Sequence, residues 1–166
     1  MILKLLLIVL ISPFFKPGDD PQTFRKMYTE AVFKQEKAEA MLGMLSARPK
    51  TPLVTGYLGA VNMIMAKHVF NPMRKLSLFK TGTTYMDQSI NEKPADAELR
   101  LLRYTIQVSA PSFLGYNSKI RTDKTFLLNS LRSGTVKDEE LVRMIAGFLN
   151  QQENTPAEKQ LLKKYL

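Results

Sequence analysis

Four dipeptides, Asp20-Pro21, Thr51-Pro52, Asn71-Pro72 and Thr155-Pro156, narrow the architectures open to this chain more than any other feature. In each, a side chain able to accept from the first free N–H groups of a helix stands directly before a proline. The fixed φ of proline suits the first helical turn, and its missing N–H costs nothing there. Apolar residues then recur at helical spacing. Phe24, Met27, Tyr28, Ala31 and Val32 fall at i, i+3, i+4, i+7 and i+8, a single stripe. Ala38, Met41, Leu42 and Leu45 repeat the pattern until Arg48-Pro49. The helix opened by Thr51-Pro52 runs to about Val69 and is apolar on most sides, which predicts a central position.

Beyond Asn71-Pro72, Met73, Leu76 and Phe79 share one face; Thr81-Gly82 is expected to loosen that segment before Tyr85, Met86 and Ile90 carry it to Lys93-Pro94. Asp96 is expected to cap a helix that turns Leu99, Leu102 and Ile106 inward and stops at Ala110-Pro111. Residues 112–122 read as irregular, and a short helix is predicted from Asp123 to Arg132, closed by Ser133-Gly134. Leu141, Met144, Ile145, Phe148 and Leu149 form another stripe, and Leu161, Leu162 and Tyr165 belong to a last helix. No segment sustains the period-2 alternation of a strand. The prediction is an all-α fold, a compact antiparallel helical array of about seven helices.

The first residues carry a different message. An eleven-residue apolar run, Leu5 to Phe15, follows Lys4 and is interrupted by Ser12-Pro13. A membrane-spanning helix needs about 20 apolar residues, whereas this length behind a positive charge matches the core of an export signal. The alternatives are an uncleaved anchor and an ordinary core segment. The expected organisation is a signal peptide over 1–18 and one helical domain over 19–166, placed in the periplasm or cell envelope without stable membrane insertion after signal removal. The full chain carries 24 Lys and Arg against 15 Asp and Glu, a net charge of +9. Removing Lys4 and Lys16 with the signal lowers it to +7. That balance favours anionic partners. Yet the basic residues occur as singles and short pairs such as Arg74-Lys75, which offers no stripe along which a nucleic acid would run.

The chain has no cysteine and one histidine, His68. Disulfides, thiolate nucleophiles and zinc sites built on several imidazoles are thereby excluded within one chain. No phosphate-cradling glycine loop, His-Glu-x-x-His run or paired acids at catalytic spacing within one element is present, which leaves open carboxylates paired from distant helices. No catalytic residue, cofactor or metal ligand is assigned from sequence.

The densest polar group lies on the predicted helix after Asp96. Arg100, Arg103 and Gln107 stand at i, i+3 and i+7 and therefore project from one face. Two guanidinium forks side by side grip a carboxylate, phosphate or sulfate; equally, they can tie the helix to a carboxylate of the chain itself, such as Asp123. Tyr116, in the irregular Phe113-Leu114-Gly115-Tyr116-Asn117 stretch, would wall such a cradle or plug the end of the bundle. Lys67, in the apolar central helix, is either a desolvated base or a lysine that snorkels or pairs with a carboxylate such as Glu98.

Two resemblances add to this. Gly56-Tyr57-Leu58-Gly59-Ala60, with Pro94-Ala95-Asp96-Ala97-Glu98-Leu99 downstream, resembles tetratricopeptide hairpins in flavour, though the 35 residues from Gly59 to Pro94 exceed that repeat's spacing. The stretch from Tyr57 to Leu128, with Met65-Ala66-Lys67, Asn71-Pro72, Glu98-Leu99-Arg100-Leu101-Leu102-Arg103 and Phe113-Leu114-Gly115-Tyr116, resembles an uncharacterised family of small exported helical proteins of Bacteroidetes-type bacteria. The resemblance implies an envelope protein and carries over no catalytic residue. The expected function is a non-enzymatic module that binds an envelope protein or peptide. The alternative is a binder of a small anionic ligand or anionic surface through the Arg100/Arg103 face, with a hydrolase further behind.

Overall fold

Capping chemistry explains most helix starts in the computed structural model, which describes residues 20–166. Among them are eight α-helices: α1 (Pro21–Phe33), α2 (Gln35–Ser46), α3 (Pro52–His68), α4 (Pro72–Glu92), α5 (Ala97–Ser109), α6 (Ile120–Ser133), α7 (Glu139–Asn150) and α8 (Pro156–Leu162), with a 3-10 turn over Ser112–Leu114. The expected all-α array is present. The proposed signal segment lies outside the described residues.

Asp20, Thr51, Asn71, Asp96, Asp138 and Thr155 each accept from a backbone N–H in the first turn of their helix. Such a cap stabilises a helix by about 1 kcal/mol. Two helices lack a side-chain cap. A single extended residue, Lys34, separates α1 from α2. α6 begins at Ile120, three residues before the predicted start at Asp123, and its entry is supported from another helix: the backbone N–H of Lys119 donates to Gln107 Oε1 at 3.0 Å.

α3 is the central element, buried from Val54 through Ala66. α4 lies along it, and here the expectation for Gly82 is corrected. α4 is continuous across Thr81-Gly82 because Gly82 is where the two backbones touch. A Cβ at Gly59 would stand 2.7 Å from Met86 N and 2.8 Å from Gly82 O; one at Gly82 would stand 2.6 Å from Gly59 O. Only paired glycines allow so close a crossing.

Around α3, the aromatic and aliphatic side chains of α1 and α2 (Phe24, Ala31, Met41, Leu45) and the inner row of α5 (Leu99, Leu102, Ile106) complete one core. α5 has a second apolar row, Leu101 and Tyr104, which joins Leu127, Leu131, Leu141, Ile145, Leu149 and Leu162 of α6–α8 in another core. Thus α5 is the wall shared by both. Phe79 is buried in the first core, but Met73 and Leu76, which share its face in sequence, are exposed.

The two ends of the bundle differ. At one end stand the starts of α1, α5 and α7, joined through Arg25, Glu98 and Asp138. At the other, His68 Nε2 lies 3.0 Å from Ala31 O and ties the last turn of α3 to that of α1. A carbonyl only accepts, so Nε2 carries the proton in this contact. The ring edge between Phe79 and Tyr116, with centroids 5.7 Å apart, brings the segment after α5 to the same end.

Candidate functional site

The three positions read from sequence as an anion cradle converge on one carboxylate of the chain itself. Asp123, fully buried, accepts from Arg103 Nε and Nη2 at 2.7 Å each, from Arg100 Nη1 at 2.9 Å and from Gln107 Nε2 at 3.0 Å. The remaining Arg100 donors reach Pro94 O at 3.0 and 2.9 Å, and its guanidinium lies over the Phe126 ring. Arg103 Nη1 is 3.6 Å from Asp87. Burial alone lowers the Arg103 pKa, but hydrogen bonding and charge from Asp123 more than offset it, and the net shift is upward. Tyr116 packs edge-on to Phe79 with its phenol buried, and burial pushes its pKa well above the ordinary value. So Arg100, Arg103, Gln107 and Tyr116 stand together, with their donors already directed inward. Lys67 is apart from them, exposed at the far turn of α3.

A second cluster was not singled out by sequence. Arg25 of α1, buried, donates in bidentate fashion to Glu98 of α5 (3.0 and 2.8 Å) and to Glu140 at 2.8 Å, with Asp138 at 2.7 Å. Tyr57 of α3 donates to Glu98 Oε1 at 2.6 Å. Glu98 is therefore held by Arg25 and Tyr57, not by Lys67. Burial, then the Glu98 charge, drives the Tyr57 pKa far upward. Asp138, in turn, is held below the ordinary carboxylate range, first by its hydrogen bond from Arg25. The sequence did hold a signal: Arg25 is three residues before Tyr28, beside the buried stripe of α1. A cavity of about 320 Å³ opens beside this cluster, lined by Arg25, Asp96, Glu98, Thr135 and Asp138 among others. A smaller one of about 40 Å³ lies between Tyr28, Tyr57, Leu102 and Met144.

The third feature is the opposite end of the bundle. Phe70 is 98% exposed, Phe113 85%, Phe33 77% and Met73 75%. These are the side chains that finish α1, form the α3–α4 turn, open α4 and follow α5. These exposed apolar groups are the candidate contact surface. Lys67, Arg74 and Lys75 are exposed in the same region. No group of three or more His, Asp or Glu side chains among the described residues could hold a metal ion. No helix among them is long and apolar enough to cross a membrane.

Compared with known protein families, curated proteins and solved structures, the chain matches none.

Proposed function

We propose that this chain is a non-enzymatic binding module of the bacterial cell envelope, exported through its N-terminal apolar segment. Its contact surface is the end of the bundle that carries Phe33, Phe70, Met73 and Phe113. One contrast supports this reading. The buried charged groups of the interior are matched to one another, Arg25 with Glu98 and Arg103 with Asp123, whereas large apolar side chains stand exposed at one end beside basic residues. Folding alone would favour burying those apolar groups, each worth about 1.5–3 kcal/mol when removed from water.

Site-specific photocrosslinking tests the reading. A photoreactive residue at position 70 or 113 should yield adducts with envelope components in intact cells, while one at Gln88, exposed on α4 nearer the other end, should not. Absence of adducts at both end positions would overturn it.

A further inference from the structure

We infer that the partner of this end is an anionic membrane surface, with phenylalanines entering the headgroup region and basic side chains meeting lipid phosphates. The inference rests on the binding reading above and names what is bound.

Charge along the chain is the first argument. Residues 40–86 contain no Asp or Glu, yet they hold six Lys and Arg, among them Lys67, Arg74, Lys75 and Lys80. Those four are exposed and make no ion pair among the described residues. Lys34, between α1 and α2, and Lys119, before α6, add to the same end. The carboxylates of this end include Glu30, held by Lys37 at 3.1 Å, Glu36 and Glu39 of α2, and Glu158, held by Lys124 of α6 at 3.1 Å.

Polarity of the whole bundle is the second. The caps Asp20, Asp96 and Asp138, with Glu140, cluster at the end opposite to Phe70. The exposed basic side chains beside Phe70 turn that end toward a negative surface as the molecule approaches, whereas Asp138, Glu140 and Asp96 at the other end are offset by Arg25 and Lys93.

Shape is the third. Both cavities described above are lined by residues away from Phe33, Phe70 and Phe113. Phe33, Phe70 and Phe113 are exposed by 77–98% on turns and helix ends, so each stands out into solvent as a single aromatic side chain. Single aromatic side chains among exposed Lys and Arg suit a fluid interface, where Phe sits at the acyl boundary and Lys and Arg at the headgroups.

Because the chain contains no tryptophan, one introduced indole reports its own surroundings. Full-length Phe70→Trp should shift its emission to the blue with phosphatidylcholine vesicles containing phosphatidylglycerol, and much less with phosphatidylcholine alone. Leu166→Trp, exposed at the C-terminus near the last turn of α6, should not shift. In the Phe70→Trp background, Lys67→Glu with Arg74→Glu and Lys75→Glu should weaken vesicle binding at least tenfold. Equal shifts with neutral and anionic vesicles, or a shift at position 166 and none at 70, would overturn the inference. Absence of any vesicle shift together with protein adducts at position 70 overturns the membrane and retains the binding module. Absence of both overturns the two together.

Discussion

At the scale of single residues, the fate of Asp123 decides how the Arg100/Arg103 face is understood. One carboxylate, removed from water, serves two guanidiniums and an amide. Removing the charge of one partner in a buried pair leaves the other uncompensated, which typically costs 3–5 kcal/mol. Asp123→Asn should therefore lower the unfolding free energy by about 3–5 kcal/mol, read as a shift in urea midpoint with an unchanged slope. Arg25 and Glu98 obey the same logic, with Tyr57 closing the last acceptor.

The pH dependence follows from the shifted groups. Asp138 is lowered chiefly by Arg25, and Glu158 chiefly by the Thr155 backbone N–H. A depressed carboxylate stabilises the fold fully above its unfolded value, about 4, and the gain disappears as pH falls through the lower folded value. Tyr28 has the opposite sign: burial pushes it up to about 12, so its contribution is complete below about 10 and lost as pH rises toward 12. Urea midpoints measured across pH should be flat from 5 to 9 and fall on both sides.

At the scale of elements, the α3–α4 crossing makes two chemically identical substitutions differ in sign. Gly59→Ala gains helix propensity of about 1 kcal/mol but drives a methyl into the backbone of α4, at 2.7 Å from Met86 N. Backbone cannot step aside as a side chain can. Overpacking of this kind costs about 1–3 kcal/mol or more, so the net change should be destabilising. Gly43→Ala in α2 meets nothing within 4 Å and should stabilise by about 0.5–1 kcal/mol. Thermal melts of the two variants beside the parent check the pair.

These elements also show what was legible in advance. Helices opened by a capping residue and proline could be read directly, because both signals are local. The start of α6 could not: the backbone N–H of Lys119, directly before it, donates to Gln107, twelve residues away in sequence on another helix. Gly82 reads as a breaker in sequence because its partner, Gly59, is legible only when the two helices are superimposed. The Arg100, Arg103 and Gln107 face was readable from spacing, including Asp123 as one of its two alternative occupants. Arg25 was not, since three of its four contacts lie on α5 and α7. Met73 and Leu76 obey helical periodicity and are exposed all the same.

On the scale of the whole molecule, what holds the fold is separate from the surface proposed to meet a partner. Two cores share α5, buried ion pairs join α1 to α5 and α5 to α6, and half-buried ones join α1 to the start of α7. The end carrying Phe33, Phe70 and Phe113 contributes little to that framework, and substitutions there should be nearly neutral for stability, within about 0.5 kcal/mol.

The most direct measurement compares Phe70→Ser/Phe113→Ser with Arg103→Gln, taking urea unfolding and envelope association on the same preparations. The account predicts that the phenylalanine variant unfolds like the parent and loses association at least tenfold. It predicts that Arg103→Gln loses about 3–5 kcal/mol of stability and, while folded, still associates. The reverse pattern, with association lost through Arg103 in a fully stable protein and retained without the two phenylalanines, would contradict it and return the binding surface to the Arg100/Arg103 face.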